Sequence, residues 1–159
     1  MSLSVGQTIP EIDVHIKDED GIDTLNTAAF FADKKVVVFA VPGAFTPTCS
    51  AKHLPSYLAH YDALKEAGFD AIVCLSVNDA HVMREWGLHN EVGDKIVMMA
   101  DSRALFSEAL GIAVNMGAVL GTRSTRCAFI ADKGTVTHVF MEEVGVYEVS
   151  SAEHVLANM

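Results

Sequence analysis

The chain has 159 residues, enough for one domain with its own core, with 50% hydrophobic and 20% charged side chains and a formal net charge of −10. That acidity argues against broad nucleic-acid binding, which relies on Lys and Arg at phosphates. The longest strongly apolar run, VVVFAVPGAF, is too short to span a bilayer, and MSLSVGQTIPEIDV has neither a basic start nor an apolar signal core, so the expected location is cytoplasmic, away from membranes.

In chain order, EIDVHIK (11–17) alternates as a half-exposed strand does and runs into the acidic turn DEDG. KVVVFAV (35–41) is β-branched and apolar on both faces, the mark of a buried central strand. A helix is predicted from about Thr48 to Ala67, with Leu54, Leu58, Tyr61 and Leu64 as its apolar stripe and Gly68 as its stop. DAIVCLSV (70–77) reads as a second buried strand. NDAHVMREWGL reads as a helix capped by Asn78, with Val82, Met83 and Trp86 inward. KIVMMA (95–100) is a third strand, and SRALFSEALG a short helix capped by Ser102 and stopped by Gly111. RCAFIADKGTVTHVFM (126–141) predicts a hairpin turning at Asp132-Lys133-Gly134, and SSAE predicts a last helix with a Ser150/Glu153 capping box. The sum is a single α/β domain over 1–159, a mixed central sheet with helices on both faces.

Three cysteines, Cys49, Cys74 and Cys127, lie far apart, and no CxxC occurs. That is neither a disulfide framework nor a dithiol reductase motif, and Cys49 with His53 would supply only half a zinc shell. Cys49 lies in VPGAFTPTCSAKHLP (41–55), where a buried strand passes into the first turn of a helix. Backbone N–H groups there lack intrahelical partners, and helix N-termini favour the nucleophilic thiolate. Pro42 and Pro47 stiffen the approach, Gly43 allows close backbone contact, and Thr46 places a hydroxyl one turn before the sulfur. These residues point to a reactive Cys49 over a core-filling thiol. His53 as general base of a Cys–His hydrolase is the weaker reading, since no acyl-transfer motif surrounds it; a tether to local backbone suits it better.

PGAFTPTC resembles the active-site motif of the peroxiredoxins, in the form carried by the type II, peroxiredoxin-five-like subfamily. CLSVNDAHVMREW, MMADSRALFSEALG and GTRSTRCAFIADKGTV resemble further segments of that subfamily, so the similarity covers nearly the whole chain. The resemblance implies a thioredoxin-like fold and a thiol peroxidase acting on hydrogen peroxide and alkyl hydroperoxides, without cofactor or metal. It assigns Cys49 as peroxidatic nucleophile, Thr46 to the peroxide, Pro42 as a shield over the sulfur, and Arg126 to thiolate and substrate. Arg123 is expected to support the site or pair with a carboxylate there, or else to make a surface salt bridge. Cys127, one residue after Arg126 on a strand, should face the opposite way, into the core. GIAVNMGAVLG (111–121) is implied to wall the pocket near a homodimer interface. No cysteine follows Cys127, so a resolving thiol near the C-terminus is missing. Cys74 is the candidate resolving thiol, but its place in a buried strand favours an external reductant, glutathione with or without glutaredoxin. Thioredoxin acting on a Cys49–Cys74 disulfide is the alternative. A third reading is a thioredoxin-like binding or chaperone-type protein with an inert cysteine.

Overall fold

The computed structural model describes residues 2–159. A hairpin of β1 (Asp13–Asp18) and β2 (Gly21–Asn26) leads through α1 (Thr27–Phe31) to β3 (Lys35–Val41). A π-helical turn, Cys49–His53, opens the next helical stretch, which continues as α2 (Leu54–Ala59) and α3 (Tyr61–Glu66). Then come β4 (Ala71–Ser76), α4 (Ala80–His89), β5 (Val97–Ala100) and α5 (Leu105–Leu110). A small ribbon of β6 (Ala113–Asn115) and β7 (Thr122–Ser124) encloses α6 (Gly117–Leu120). The hairpin β8 (Cys127–Asp132) and β9 (Thr135–Met141) and the helix α7 (Ala152–Asn158) complete the chain.

Seven strands form one sheet in the order β2-β1-β5-β4-β3-β8-β9, parallel at β5-β4-β3 and antiparallel elsewhere. The central strands carry few polar groups because both of their faces are covered. Val37, Phe39, Val41 and Cys74 pack with Leu54, Tyr57, Met83, Trp86 and Val155 under α2, α3, α4 and α7. Val36, Val38, Ala40, Leu75 and Cys127 pack on the other side with Phe31, Phe106 and Leu110 from α1 and α5. Burial of each Val, Leu, Phe or Met among them favours folding by roughly 1.5–3 kcal/mol. Among the described residues, no helix is long and apolar enough to cross a membrane.

The mixed sheet, the buried strands β3 and β4, the third strand β5 and the β8–β9 hairpin agree with expectation, and Lys133 and Gly134 make the hairpin turn with positive φ (50° and 83°). Several local features differ. The helix expected over 48–67 is broken into three: Pro55 has no N–H to give and the turn before it widens to π geometry, and the run is interrupted again at His60, whose φ and ψ (−105° and 16°) leave the helical range. Asp79, not Asn78, caps α4 by accepting from the Val82 N–H, and Val82 is only partly buried. Asp101, not Ser102, receives the Phe106 and Ser107 N–H groups at the start of α5. Ser151 caps α7 through the His154 N–H, replacing the expected Ser150/Glu153 box. The edge strand β2 and the β6–α6–β7 insert were not anticipated. Their short, half-exposed segments carry little periodic signal and take their shape from the neighbours they pair with.

Candidate active site

β3 delivers the chain to the sheet's C-terminal edge, and residues 42–48 turn it back into the helical stretch that begins at Cys49. Side chains from distant segments hold this loop. Asn78 Oδ1 accepts the Ala44 N–H at 3.0 Å, which is the work it does in place of capping. Arg123 donates from Nη1 to the Pro42 carbonyl (3.2 Å) and from Nε to the Leu120 carbonyl (2.9 Å). Among the roles expected for Arg123 it takes the first, tying the Pro42 carbonyl of the site loop to the Leu120 carbonyl at the end of α6. Any Cβ at Gly43 would lie 2.9 Å from Arg123 Nη1 and 3.0 Å from Thr46 Cγ2, so a larger residue there must push the Arg123 side chain aside.

Within this frame Cys49 is fully buried, and Arg126 Nη2 donates to its Sγ at 3.0 Å. Arg126 reaches the sulfur from the residue before β8, so two chain segments 77 positions apart meet here. A guanidinium at this distance presents a fixed positive charge and a planar fork of donors to the sulfur. Thr46 Oγ1 donates its proton to the Gly43 carbonyl at 2.7 Å, which leaves its lone pairs to accept from a bound ligand. Pro42, Thr46 and Arg126 line a cleft of about 350 Å³, whose far wall is Met116, Leu120, Val144, Val146 and Tyr147. The wall role expected of 111–121 is thus met by Met116 and Leu120. A larger cleft, about 660 Å³ beside β1, β2 and α5, is lined by none of Pro42, Thr46 and Arg126.

His53 proves to be more than a local tether. Its Nε2 lies 3.0 Å from the Ser150 carbonyl and its Nδ1 2.9 Å from Arg126 Nη1. A carbonyl can only accept and a guanidinium can only donate, so Nε2 carries the proton and Nδ1 accepts. Burial, and next the charge of Arg126, push the His53 pKa down to about 3, against a smaller opposing effect of the Ser150 carbonyl. An imidazole that resists protonation this far cannot hold a proton from Cys49 at neutral pH, so the Cys–His hydrolase reading fails. The same depression has a stability consequence. The unfolded histidine titrates near 6.5, so between there and about 3 the unfolded chain holds the extra proton. The His53 contribution is therefore complete above about pH 6.5 and is lost as pH falls toward 3. Sequence gave no signal for these contacts, because the partners lie 97 and 73 residues away.

The other thiols differ in place. Cys127 faces the opposite side of the sheet, as expected, and burial pushes its pKa up to about 12. Cys74 is also fully buried, between Phe39 and Met98 in the strand ladder, but on the same side as Cys49. Burial first, and then the neighbouring Cys49 charge, raise the Cys74 pKa well above the usual thiol range. All three are free thiols.

The family model for redoxins matches residues 4–156. Peroxiredoxin-2D of Arabidopsis thaliana is 38% identical over 97% of this chain and 96% of its own length. The crystal structure of reduced Prx3 in complex with H2O2 from Vibrio vulnificus superposes with a TM-score of 0.94 at 44% identity, covering 98% of both chains. An antioxidant protein of Plasmodium falciparum, described as a 1-Cys peroxiredoxin, gives a TM-score of 0.90 at 28% identity, covering 96% of each chain. The sheet and flanking helices thus have the thioredoxin-like arrangement of these proteins, and an inert scaffold no longer fits. The chain belongs to the redoxin family and, within it, to the type II peroxiredoxins, thiol peroxidases that use an external thiol reductant and no prosthetic group.

Proposed function

We propose that Cys49 is the peroxidatic residue, that the substrates are hydrogen peroxide and alkyl hydroperoxides, and that glutathione, alone or with glutaredoxin, restores the thiol. The observation that carries the assignment is the 3.0 Å contact from Arg126 Nη2 to Cys49 Sγ beside a cleft that also presents Thr46 and Pro42. The thiolate attacks the terminal oxygen of ROOH, an S–O bond forms as the O–O bond breaks, and RO⁻ leaves and takes a proton. Cys49 is then a sulfenic acid and the peroxide an alcohol or water. Charge moves from sulfur to the departing oxygen, and the Arg126 fork spans that path; donors fixed there stabilise the transition state more than the ground state. The Thr46 hydroxyl accepts the peroxide proton while its own stays on Gly43. The relative from Vibrio vulnificus that holds H2O2 supports the substrate class.

A first glutathione thiolate attacks the sulfenic sulfur and releases water, and a second resolves the mixed disulfide to glutathione disulfide and the Cys49 thiol. The buried Cys74 argues for this route, and the 1-Cys relative lends support. Thioredoxin acting on a Cys49–Cys74 disulfide is the second reading, favoured by the shared face of the two thiols. That route requires the Cα atoms within roughly 7 Å and an opening of the helix start over a core strand. Mass spectrometry after one equivalent of peroxide, without donor thiol, separates the two. The first reading expects a trapped sulfenic acid that glutathione converts to a mixed disulfide; a protein two mass units lighter, linked Cys49 to Cys74, rejects it. Exposed Val144, which lines the cleft, and exposed Phe45 and Val119 suit the face of a homodimer, which sedimentation would read as twice the chain mass.

A further inference from the structure

Glu142, immediately after β9, is 5% exposed, yet it is a carboxylate with no cation bonded to it among the described residues. Instead its Oε2 gathers four donors. The N–H groups of Glu148, Val149 and Ser150 point at it from 2.7, 2.9 and 3.0 Å, and Ser150 Oγ donates at 2.7 Å. Three successive backbone N–H groups converging on one anion form a nest, which locks the curvature of the loop that makes it. That loop touches the site at two places. The Ser150 carbonyl accepts from His53 Nε2 (3.0 Å) and from Tyr57 Oη (2.8 Å), and the Tyr147 ring lies 5.9 Å from the Arg126 guanidinium carbon. The circuit closes on itself, because the Glu142 N–H donates to the Arg126 carbonyl at 3.2 Å. One residue thus fixes the backbone of Arg126 directly and its guanidinium through Ser150 and His53.

We propose that Glu142 is a positioning residue of the peroxidase, whose carboxylate shapes the 147–150 loop so that His53 holds the Arg126 fork on Cys49. It never meets the peroxide; its effect reaches the sulfur only through Arg126. An amide in its place is a poor substitute, since a neutral carbonyl oxygen binds four donors far less strongly than a carboxylate oxygen does. The new –NH2 would also bring donors into a site already crowded with them. Small misplacements of a catalytic group cost up to about 100-fold in rate, so Glu142→Gln should slow Cys49 oxidation by roughly 10- to 100-fold.

The inference rests on Cys49 being the peroxidatic residue, so its test carries an arm that needs no peroxide. Cys49 oxidation by hydrogen peroxide and Cys49 alkylation by iodoacetamide across pH 5–9 are measured in wild type, Glu142→Gln, Arg126→Gln and the double variant. The expectation is a slower oxidation and an alkylation profile moved to higher pH in Glu142→Gln, with no further change when Arg126→Gln is already present. Equal losses in both backgrounds would mean that Glu142 only stabilises the fold, and overturn the proposal. So would a folded Glu142→Gln protein with wild-type oxidation and alkylation. If Glu142→Gln does not fold, Ser150→Ala removes one of the four donors and should slow both reactions about threefold; wild-type rates there count against the proposal. Loss of the alkylation effect refutes the role of Glu142, whereas a Cys49 that alkylates as expected but ignores peroxide refutes the peroxidatic assignment instead.

Discussion

Replacing Arg126 with glutamine removes the cation bonded to the Cys49 sulfur and keeps an amide of shorter reach. At a charge separation of roughly 4 Å and an effective dielectric near 20, the pair is worth about 4 kcal/mol. Arg126 is only half-buried, so water recovers part of that on its loss. The remainder falls near the ~100- to 1,000-fold penalty for removing one oxyanion-type donor. The expected result is a second-order rate constant for Cys49 oxidation at least about 100-fold lower, together with an alkylation profile shifted to higher pH. Arg126→Lys restores the charge without the planar fork, so it should recover more of the alkylation shift than of the oxidation rate. Stopped-flow fluorescence can follow the oxidation, because Trp86, the chain's one tryptophan, donates from Nε1 to Ser50 Oγ, next to the reacting sulfur. Freeing the His53 Nδ1 acceptor should also cost about 1 kcal/mol of stability, which a denaturant midpoint reads separately. Unchanged oxidation and alkylation in a folded Arg126→Gln protein would refute the electrostatic reasoning.

The remaining expectations test other parts of the site. Thr46→Val should slow peroxide reduction about 100-fold and Thr46→Ser should keep most of it, since only the hydroxyl is needed; equal rates in both variants would remove Thr46 from the mechanism. Iodoacetamide at neutral pH should modify Cys49 alone in the native protein, with peptide mapping as the readout, because burial keeps Cys74 and Cys127 protonated. Cys127→Ser and Cys74→Ser should each retain most turnover with glutathione, and loss of turnover in the latter would restore the Cys74-resolving route. Between pH 6.5 and pH 5 wild type should lose about 2 kcal/mol more stability than His53→Gln, as the buried histidine must stay neutral; parallel pH–stability curves would contradict that burial cost.

How far the site could be read from sequence follows from the range of each interaction. Cys49, Thr46 and Pro42 were legible because a strand-to-helix junction is local, and its prolines and glycine mark it. Arg126 came from a second motif, and only the folded sheet shows that it lands 3.0 Å from the sulfur. The central strands were plain because both faces are apolar, whereas β2, exposed over half its length and with no buried residue, was invisible. Pro55 was a readable helix-breaking signal that the apolar stripe across 54–64 concealed. His53, Asn78 and Glu142 were beyond such reading for another reason. Each is an ordinary polar residue whose role depends on partners brought together by the sheet: Ser150 and Arg126 for His53, Ala44 for Asn78, the 148–150 backbone for Glu142.

The central claim is that peroxide reduction passes through the Cys49 sulfur. Wild type and Cys49→Ser are treated with one equivalent of hydrogen peroxide in the presence of a sulfenic-acid trap, and peroxide consumption and the labelled peptides are read together. Rapid consumption with the trap on Cys49 in wild type, and neither in Cys49→Ser, is the predicted result. Comparable peroxide consumption by Cys49→Ser, or a label carried by Cys74 or Cys127 in the wild-type protein, would contradict it.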